Sequence, residues 1–437
     1  MTQGRVVMGL LFYPRGGSAY VVRYLSPALA RAGWSVSLAV GSLGVAGKET
    51  YAPTFFDGLD VQFVDSTDAV CAFEAGGDAI ASAIAAPAPM HPSYEDRAGV
   101  PDVVFASVPP ELADHLAEVW VPALRAAGAA EADLFHLHHL TPQLYAAQQH
   151  WPEIPKVVHL HGTELKLIDS IESRAALAAA LGETLATMPE ADVSGMSRDR
   201  DLDEAQTELL RTTRWPAWRH GEFWAAHLKQ QAHLADHLIT VSPQNRDAAI
   251  SVLGIEPEHV SALPNGVDIE RFHPRPRVAG ARRDAFRRFL VDDPHGWTET
   301  GGPGTLRYSE SDLDRLLGPA DDATVLLFVG RFLGFKRVPA LIRAFARARS
   351  QFTRPGSLVI WGGHPGEWEG EHPVTVAKEL GADGIFFAGW RGHDETSRRD
   401  WPRATCSSSP RSRTRTRRCR SRRWRSGCRW WRAAVAD

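Results

Sequence analysis

The sequence predicts an α/β protein with two Rossmann-like domains, each built on a parallel sheet. Continuous apolar segments, which suit strands buried on both faces, alternate with segments of helical periodicity, as in βαβ units. This alternation occurs in two series, separated by a polar stretch rich in Pro and Gly from about Pro274 to Asp322. A chain of 437 residues is long enough for two or three domains with large cores.

The first series opens with a strand, a glycine turn, a helix and a second strand. The apolar run RVVMGLLFY precedes the turn PRGGS, the next segment has helical spacing as far as Gly33, and WSVSLAV follows as a strand. A long amphipathic helix is predicted over 218–236. Further strands are predicted at VQFVD, DVVFASV, ADLFHLHH, KVVHLHG and DHLITVS. We assign residues 1–272 to this first domain.

The second series follows residues 273–322, which we interpret as a linker or insertion. Strands are predicted at TVLLFVG, SLVIWGG and IFFAG, and helices at VPALIRAFARARS and PVTVAKELGA. We assign residues 323–395 to a partial second domain. Open α/β sheets bind ligands at the carboxyl ends of their strands, so we expect the functional clefts there.

Charge is distributed unevenly along the chain. Residues 396–437 contain 14 Arg, no Lys and two acids, a net charge of +12, whereas residues 1–395 contain 35 basic and 50 acidic residues, a net charge of −15. The acidic body argues against a surface that binds a nucleic-acid backbone over most of its area. We predict that residues 396–437 form an aberrant, disordered Arg-rich tail.

Cysteine usage and hydropathy bear on the location of the protein. Cys71 is the one cysteine before the tail, which indicates a reducing compartment without a disulfide framework. The apolar run over 6–13 is too short for a signal-peptide core and its cleavage site, and no run reaches the ~20 apolar residues of a membrane span. We therefore expect a cytoplasmic protein.

Two glycine-containing loops are candidate phosphate sites. Gly16 and Gly17 follow the first strand and open a helix, whose backbone amides can bind an anion, although a plain tight turn has the same pattern. VGRFLGFKR places Arg331 and Lys336 in the loop after a buried strand, where two cations can neutralise a diphosphate. The alternative for this second loop is a solvated connection without a ligand.

Histidines are concentrated at the ends of two predicted strands. His136 and His138 share one strand face and His139 follows, a pattern open to metal binding. No acid or cysteine with ligand spacing lies nearby, so we interpret the segment as a strand end rich in histidine and predict no metal site. His159 and His161 likewise share a face, and His161 is either a donor to a sugar hydroxyl or a structural histidine.

A set of segments in this order resembles the retaining GT-B glycosyltransferases of family 4, also called glycosyl transferase group 1. The segments are GGS after the first strand, HGTE, DHLITVSPQNRDAA, LPNGVDIERFHP and VGRFLGFKRVPALIRAFA, and the resemblance covers roughly 5–395. The most specific part is PNGVD, which contains Asn265, Gly266 and Asp268, followed at a distance by VGR and Lys. By itself PNGVD is only a turn between the two series.

The resemblance implies a hexosyltransferase-type enzyme that moves a sugar from a nucleotide-diphosphate donor with retention and without a metal cofactor. It implies that Arg331 and Lys336 hold the diphosphate with backbone help from Gly16 and Gly17. It also implies that His161 lies beside the donor sugar as the catalytic residue, and it places the donor-binding pair Trp390 and Arg391 near the nucleobase. The acceptor is a small molecule, lipid or glycan, and peripheral membrane association is compatible with the family.

The family pattern continues with two Glu residues that have seven residues between them, but this chain has no Glu after Glu395. If the tail is read one nucleotide out of frame, residues 418–432 can encode Val-Pro-Leu-Glu-Ala-Met-Ala, an apolar residue, and Gly-Val-Pro-Val-Val-Ala, the missing motif. Trp424, Trp430 and Trp431, which have single codons, fit this reading, whereas the place of the first Glu reads Asp, Asn, His or Tyr. We therefore predict a frameshift near Glu395, and a natural basic tail that binds nucleic acid is the alternative.

Three function classes remain open from the sequence. The first is a glycosyltransferase, which we expect to be weak or inactive in this translated form. The second is a nucleic-acid-binding protein that acts through its tail. The third is another GT-B activity, such as a sugar-nucleotide epimerase or a phosphorylase. The donor base and sugar, the acceptor and the oligomeric state are not encoded in any motif that we find.

Overall fold

The computed structural model describes residues 4–14, 16–193, 195, 202–269, 280–391 and 406–407. The chain divides into two compact units, the first ending at Gly266 and the second beginning at Val267. Each unit has its own parallel sheet, with strand order β3-β2-β1-β4-β5-β6-β7 in the first and β10-β9-β8-β11 in the second. The predicted α/β class with two Rossmann-like sheets is confirmed.

The described residues of the first unit form seven strands. They are β1 (Gly4–Leu10), β2 (Trp34–Ser42), β3 (Asp60–Asp65), β4 (Leu134–His138), β5 (Lys156–Leu160), β6 (His237–Thr240) and β7 (Val260–Ala262). Its described α-helices are Gly17–Arg31, Ala52–Phe55, Thr67–Glu74, Ala113–Glu118, Val121–Ala126, Pro142–His150, Thr163–Ala180, Glu204–Thr212, Gly221–Ala232 and Pro243–Leu253. A π-helical turn lies at Ala79–Ile84, and short 3-10 turns lie at Phe105–Ser107, Pro110–Leu112, Ala129–Glu131, Met188–Glu190, Trp215–Trp218 and Pro257–His259.

Apolar side chains cover the first sheet on both faces. Val7 and Phe135 pack with the larger cluster on one face, and Val6, Met8 and Leu10 pack with the first helix and its neighbours on the other. This double burial explains why β1 reads as a continuous apolar run rather than an alternating one. It also places the polar residues that follow the strands at the carboxyl edge of the sheet.

The second unit begins earlier than the sequence predicts. Its α-helices are Ala281–Arg287, Glu310–Leu317, Val338–Ala348 and Pro373–Glu379, with a π-helical turn at Arg288–Asp292, 3-10 turns at Gly334–Lys336 and Arg349–Gln351, and strands β8 (Thr324–Val329), β9 (Gly356–Trp361), β10 (Ile385–Gly389) and β11 (Cys406–Ser407).

The segment 280–322, interpreted from the sequence as linker or insertion, forms part of the core of the second unit. Phe286, Leu290 and Leu313 are buried against Val325 and Val359 of the sheet. The helices Ala281–Arg287 and Glu310–Leu317 each contribute only a short apolar face, and a polar, Gly-rich stretch separates them. The composition of this segment therefore resembles that of a linker.

Two further elements differ from the sequence predictions. The predicted strand DVVFASV is wrong, because Val104 makes only an isolated bridge to Ser93 and Phe105–Ser107 is a 3-10 turn. This run is apolar because it is buried in the core, where Phe105 and Val108 have no exposed surface, and not because it pairs in a sheet. The long predicted helix over 218–236 is shorter, Gly221–Ala232.

Most of the predicted disordered tail, 396–437, lies outside the described residues. Within it, Cys406 and Ser407 form β11, which pairs in parallel with Leu326 and Leu327 of β8. A strand in this place puts β8 between β9 and β11, so that the strand order of the second sheet reverses beside β8.

Candidate functional site

The topology of each sheet marks one place where a ligand crevice is expected. Strand order reverses between β1 and β4 in the first unit and between β8 and β11 in the second. At such a switch point the connections leave toward opposite faces, which opens a crevice at the carboxyl ends of the two strands. Ligand-binding residues are therefore expected in the loops after β1, β4 and β8.

Gly16 and Gly17 lie at the switch point of the first unit. Gly16 has a φ of +85° and is the N-cap of the helix Gly17–Arg31, and a Cβ built on it would meet no atom within 4 Å. The first turn of this helix contains no acidic residue. Open space in front of a helix N-terminus without an internal anion fits the predicted phosphate-facing turn, and the identity of any ligand there stays a prediction.

His161 lies just after β5, beside the same edge of the sheet. Its side chain is buried, and its Nε2 is 3.0 Å from Nδ1 of His138. Burial lowers the pKa of His161 well below its ordinary value, and the neighbouring histidines lower it further. His161 is therefore a neutral imidazole near neutral pH, able to donate or accept one hydrogen bond but not to act as a cation.

Glu164 anchors the loop that carries His161, and the sequence analysis did not select it. The backbone N–H of His161 donates to Oε1 of Glu164 at 3.2 Å, and the hydroxyl of Thr163 donates to Oε2 at 3.1 Å. Nδ1 of His139 lies 3.5 Å from the same Oε2. Burial by itself raises the pKa of Glu164, but the charge of His139 and these hydrogen bonds outweigh burial, so that the pKa lies below its ordinary value.

His139 adopts a backbone conformation that few residues other than glycine adopt. Its φ is +69°, and its ring stacks on Tyr94 at 5.5 Å between ring centroids. The hydroxyl of Tyr94 donates to the carbonyl of Leu140 at 2.5 Å. A strained residue held from two sides indicates a rigid junction between the ends of β4 and β5. The available sequence signal was the acid placed three residues after His161, in the first turn of a helix.

The substitution Glu164→Gln tests this junction. We expect the free energy of unfolding to fall by about 1.5–3 kcal/mol, the range for hydrogen bonds to a charged group, because the amide keeps the shape but loses the charge. Urea unfolding measures this change. Glu172→Gln is a matched control on the same helix, where an exposed ion pair with Lys229 contributes less than about 1 kcal/mol. Equal effects of the two substitutions would contradict the anchoring role of Glu164.

Arg331 and Lys336 both lie in the loop after β8, at the switch point of the second unit. The Arg331 guanidinium donates to Oε2 of Glu367 at 3.2 Å and is 35% exposed. Lys336 closes the 3-10 turn Gly334–Lys336 and is buried, with its ammonium 5.1 Å from the ring centroid of Phe335. The structure thus brings the two predicted cations into one loop, one at the surface and one largely sheltered from water.

Glycines bring the backbones of β8, β9 and β10 close together beside this loop. The N–H of Gly363 donates to the carbonyl of Gly330 at 3.1 Å, and the N–H of Gly362 donates to that of Gly389 at 2.9 Å. A Cβ on Gly362 would lie 2.3 Å from the Gly330 carbonyl oxygen, and the φ of Gly362 is +116°. From the sequence, this Gly-Gly pair is predicted as part of a strand, and its close approach to Gly330 depends on a contact with a neighbouring strand.

Gly362→Ala is expected to displace the Gly330–Arg331 backbone and to destabilise the second unit by more than about 3 kcal/mol. Both the positive φ and the overlap with the Gly330 carbonyl contribute to this cost. Gly366→Ala is the matched control, because Gly366 also has a positive φ, +84°, but open space around its Cβ position. Chemical denaturation of the two variants separates backbone strain from overlap. Similar costs in both would show that the close approach at Gly362 is relieved without penalty.

Trp390 and Arg391 follow β10, but they have different surroundings. The Trp390 carbonyl accepts a hydrogen bond from Nδ1 of His295 at 3.2 Å, and its ring is 5.6 Å from that of His364. Arg391 is buried, pairs with Asp293 at 2.7 Å and lies over the ring of Phe289. Arg391 thus joins the end of β10 to the turn Arg288–Asp292 and the residue that follows it. A contact with a nucleobase stays a prediction for both residues.

Asn265, Gly266 and Asp268 lie at the division between the units. Gly266 is the last residue of the first unit, and Asp268 lies in the described part of the connection, which ends at residue 269. The predicted site residues therefore fall into two groups: Gly16, Gly17 and His161 in the first unit, and Arg331, Lys336, Trp390 and Arg391 in the second.

No helix among the described residues combines the length and apolar composition needed to cross a membrane.

Comparison with protein families identifies one matching segment. Residues 78–271 match the family model described as Glycosyltransferase Family 4. Most of the matched segment lies in the first unit, and its last five residues follow Gly266. It contains β4, β5 and the His161 loop, whereas the loop with Arg331 and Lys336 lies outside it.

A curated relative matches part of the chain. D-inositol 3-phosphate glycosyltransferase 2 from Catenulispora acidiphila is 32% identical over 181 residues, which cover 40% of this chain and 34% of the relative. The chain thus spans about a third of the length of this relative.

Solved structures with related folds include two nucleotide-containing complexes. HepE from Anabaena in complex with UDP-glucose is 12% identical with a TM-score of 0.42, covering 89% of this chain and 70% of that one. The catalytic domain of starch synthase IV from Arabidopsis thaliana, bound to ADP and acarbose, is 14% identical with a TM-score of 0.47. The match covers 94% of this chain and 78% of that domain.

Proposed function

We propose that this protein is a glycosyltransferase that takes a sugar from a nucleotide-diphosphate donor. The observation that carries this proposal is the family match over 78–271, which includes the buried HGTE loop and its histidine. The cationic loop after β8, which lies outside that match, supports the donor class independently. The relative from Catenulispora acidiphila adds a phosphorylated polyol to the acceptors worth testing.

Arg331 and Lys336 would hold the donor diphosphate. When the sugar leaves, negative charge develops on the nucleotide diphosphate, and cations that are already in place stabilise it without reorganisation. Lys336 is buried, so its charge acts in a medium of lower polarity than water, where it is more effective. Arg331 offers the planar fork of donors that suits phosphate oxygens, and Glu367 orients it. This arrangement performs the electrostatic task without a metal ion.

His161 would act as a neutral hydrogen-bonding group toward the donor sugar. Its low pKa excludes a cationic role, and the contact with His138 holds its ring in place. The polar loop around it is kept rigid by Glu164. Retention of configuration follows the family resemblance and belongs to this proposal.

Nucleotide binding to the 437-residue chain tests the donor class. Isothermal titration with UDP, GDP and ADP, each compared with its monophosphate, should identify one base for which the diphosphate binds at least about tenfold more tightly, because the cations face the second phosphate. Turnover of the matching nucleotide sugars is then measured with an acceptor pool that includes inositol phosphates, lipids and glycans. Equal binding of monophosphates and diphosphates for every base would overturn the proposal.

We also propose that the Arg-rich segment 396–437 is the product of a shifted reading frame. The single-codon residues Trp424, Trp430 and Trp431 fit the shifted frame, and that frame encodes the next strand motif of the family. In the shifted frame, residues 404–409 can encode Asp, Val, Leu, Val and an apolar residue, a pattern that suits a buried strand. Residues 406–407 pair with β8, which is where such a strand would add to the sheet. Resequencing codons 390–437 and comparing sugar transfer by the two translations tests this idea. Full transfer by the 437-residue form would contradict it.

A further inference from the structure

Five histidines lie buried together at the carboxyl ends of β4 and β5. Their rings stack in a continuous group, with centroid distances of 4.9 Å between His136 and His138 and 5.2 Å between His138 and His159. Each of these three side chains is less than a tenth exposed. The other members of the group are His139 and His161.

Several ring nitrogens of this group have no hydrogen-bond partner among the described residues. They include Nε2 of His136, Nε2 of His138 and both nitrogens of His159. Burying an imidazole nitrogen without a partner is unfavourable, because the hydrogen bond to water is lost and nothing replaces it. Three neighbouring rings that share this deficit indicate a common partner located between them.

We propose that His136, His138 and His159 bind one divalent transition-metal ion, with Zn²⁺ as the first choice. One ring nitrogen of each lies within 4.8 Å of the other two. Tetrahedral Zn²⁺ with bonds of about 2.0 Å requires separations of about 3.3 Å between ligand nitrogens, so the rings close by roughly 1.5 Å at most when the ion binds. The backbone already provides the alignment, since His138 and His159 are paired in register.

The surroundings of His138 also suit a metal ligand. Its Nδ1 lies 3.0 Å from Nε2 of His161, so that Nδ1–H can donate to His161 while Nε2 keeps a lone pair for the ion. A hydrogen bond from the other ring nitrogen is the usual support of a metal-bound histidine.

The donor set determines the class of ion. Three imidazole nitrogens without a carboxylate or thiolate suit Zn²⁺, Co²⁺, Ni²⁺ and Cu²⁺ and disfavour Mg²⁺ and Ca²⁺, which take oxygen ligands. An ion here would join β4 to β5 and fix the ring of His161 through His138. The site departs from the sequence expectation of no metal, because the sequence shows that His136 and His138 share a face but not that His159 lies in register beside them.

Metal content of the full chain tests this site. The 437-residue protein is purified without a polyhistidine tag, stripped with a chelator, incubated with Zn²⁺, dialysed and analysed by mass spectrometry of the metal. We expect one equivalent of Zn²⁺ per chain, and with Co²⁺ in its place we expect visible absorption bands typical of tetrahedral coordination. Binding of less than about a tenth of an equivalent would overturn the proposal.

Variants identify the ligands. In His136→Phe and His159→Phe the ring stack is kept and the unpartnered nitrogens are removed, and we expect each variant to lose the equivalent of metal. His91→Phe is the matched control, because His91 is also buried with an unpartnered Nε2 among the described residues but lies outside the cluster, against Phe12 and Tyr13. Retention of the full equivalent in both cluster variants would contradict the assignment.

X-ray absorption of the wild-type zinc form covers the case in which the cluster variants fail to fold. We expect the zinc ion to have three imidazole nitrogens at about 2.0 Å. Zinc ligands that include no imidazole would contradict the site. None of these readouts depends on sugar transfer, so the metal site and the proposed enzymatic function succeed or fail separately.

Discussion

Lowering the pH from 7 to 5 is expected to remove at least about 4 kcal/mol from the free energy of unfolding of the metal-free protein. The effect comes from buried histidines that are neutral when folded and become protonated when unfolded. Burial lowers the pKa of His91 to about 4, with Asp102 acting weakly in the opposite direction, and it lowers the pKa of His136 to about 4. Both side chains are less than a tenth exposed.

The direction of the effect follows from proton uptake. Well above pH 6.5 the histidines are neutral in both states, and the stability is independent of their titration. As the pH falls from 6.5 toward 4, the unfolded chain binds protons that the folded protein excludes, so that each histidine costs about 2 kcal/mol at pH 5. The two groups together account for about 4 kcal/mol, and the remaining members of the histidine cluster act in the same direction.

Urea unfolding between pH 5 and 8, with a chelator present, measures this dependence. His91→Phe removes one of these buried titrating groups, so its stability should fall about 2 kcal/mol less than that of the wild type between pH 7 and 5. The matched control replaces an exposed histidine, His364→Phe. A free energy of unfolding that is constant from pH 7 to 5 would show that the buried histidines take up protons without unfolding.

Loss of the two cations after β8 is expected to have the largest effect on donor binding. Arg331→Ala and Lys336→Met should each weaken the binding of the preferred nucleoside diphosphate by about 1.5–3 kcal/mol, the range for charge-assisted hydrogen bonds. This corresponds to roughly tenfold to a hundredfold in Kd. Methionine is chosen at position 336 because the lysine stem is buried and its packing needs to be kept.

Calorimetric titration of each variant with the diphosphate and the monophosphate separates a local effect from a general one. Only diphosphate binding should weaken, and the thermal stability should change little. Arg347→Ala provides the control, since Arg347 is an exposed cation in the last turn of the helix that follows the loop. Unchanged diphosphate affinity in both loop variants would remove Arg331 and Lys336 from the donor site.

Much of the fold was predictable because local patterns agreed with the tertiary arrangement. The turn after β1, the helix that ends before Gly33 and the strands β8, β9 and β10 all lie where periodicity and glycine placed them. The strand predicted at DVVFASV was wrong because its apolar residues are buried in the core without pairing in a sheet, and Phe105–Ser107 forms a 3-10 turn. The helices over 281–317 escaped notice because their apolar faces are short and separated by polar loops.

In the candidate site too, the residues that are close in sequence were predictable, whereas those that act through contacts between separate segments were not. Arg331 and Lys336 share one loop, so the sequence alone placed them together. Glu164 acquires its importance through contacts with His139 and the His161 backbone, and the role of Gly362 depends on the carbonyl of Gly330 on a neighbouring strand. Contacts between separate strands depend on register, which the sequence of either strand does not specify.

The sequence by itself determined the alternation of strands and helices, the two phosphate-binding loop candidates and the faces on which the histidines lie, because each depends on residues that are neighbours along the chain. Only the tertiary structure decided that the segment 280–322 belongs to the second core and that His159 lies beside His138. These facts depend on which strands pair and in what register, and that is determined by the burial of whole sheet faces at once.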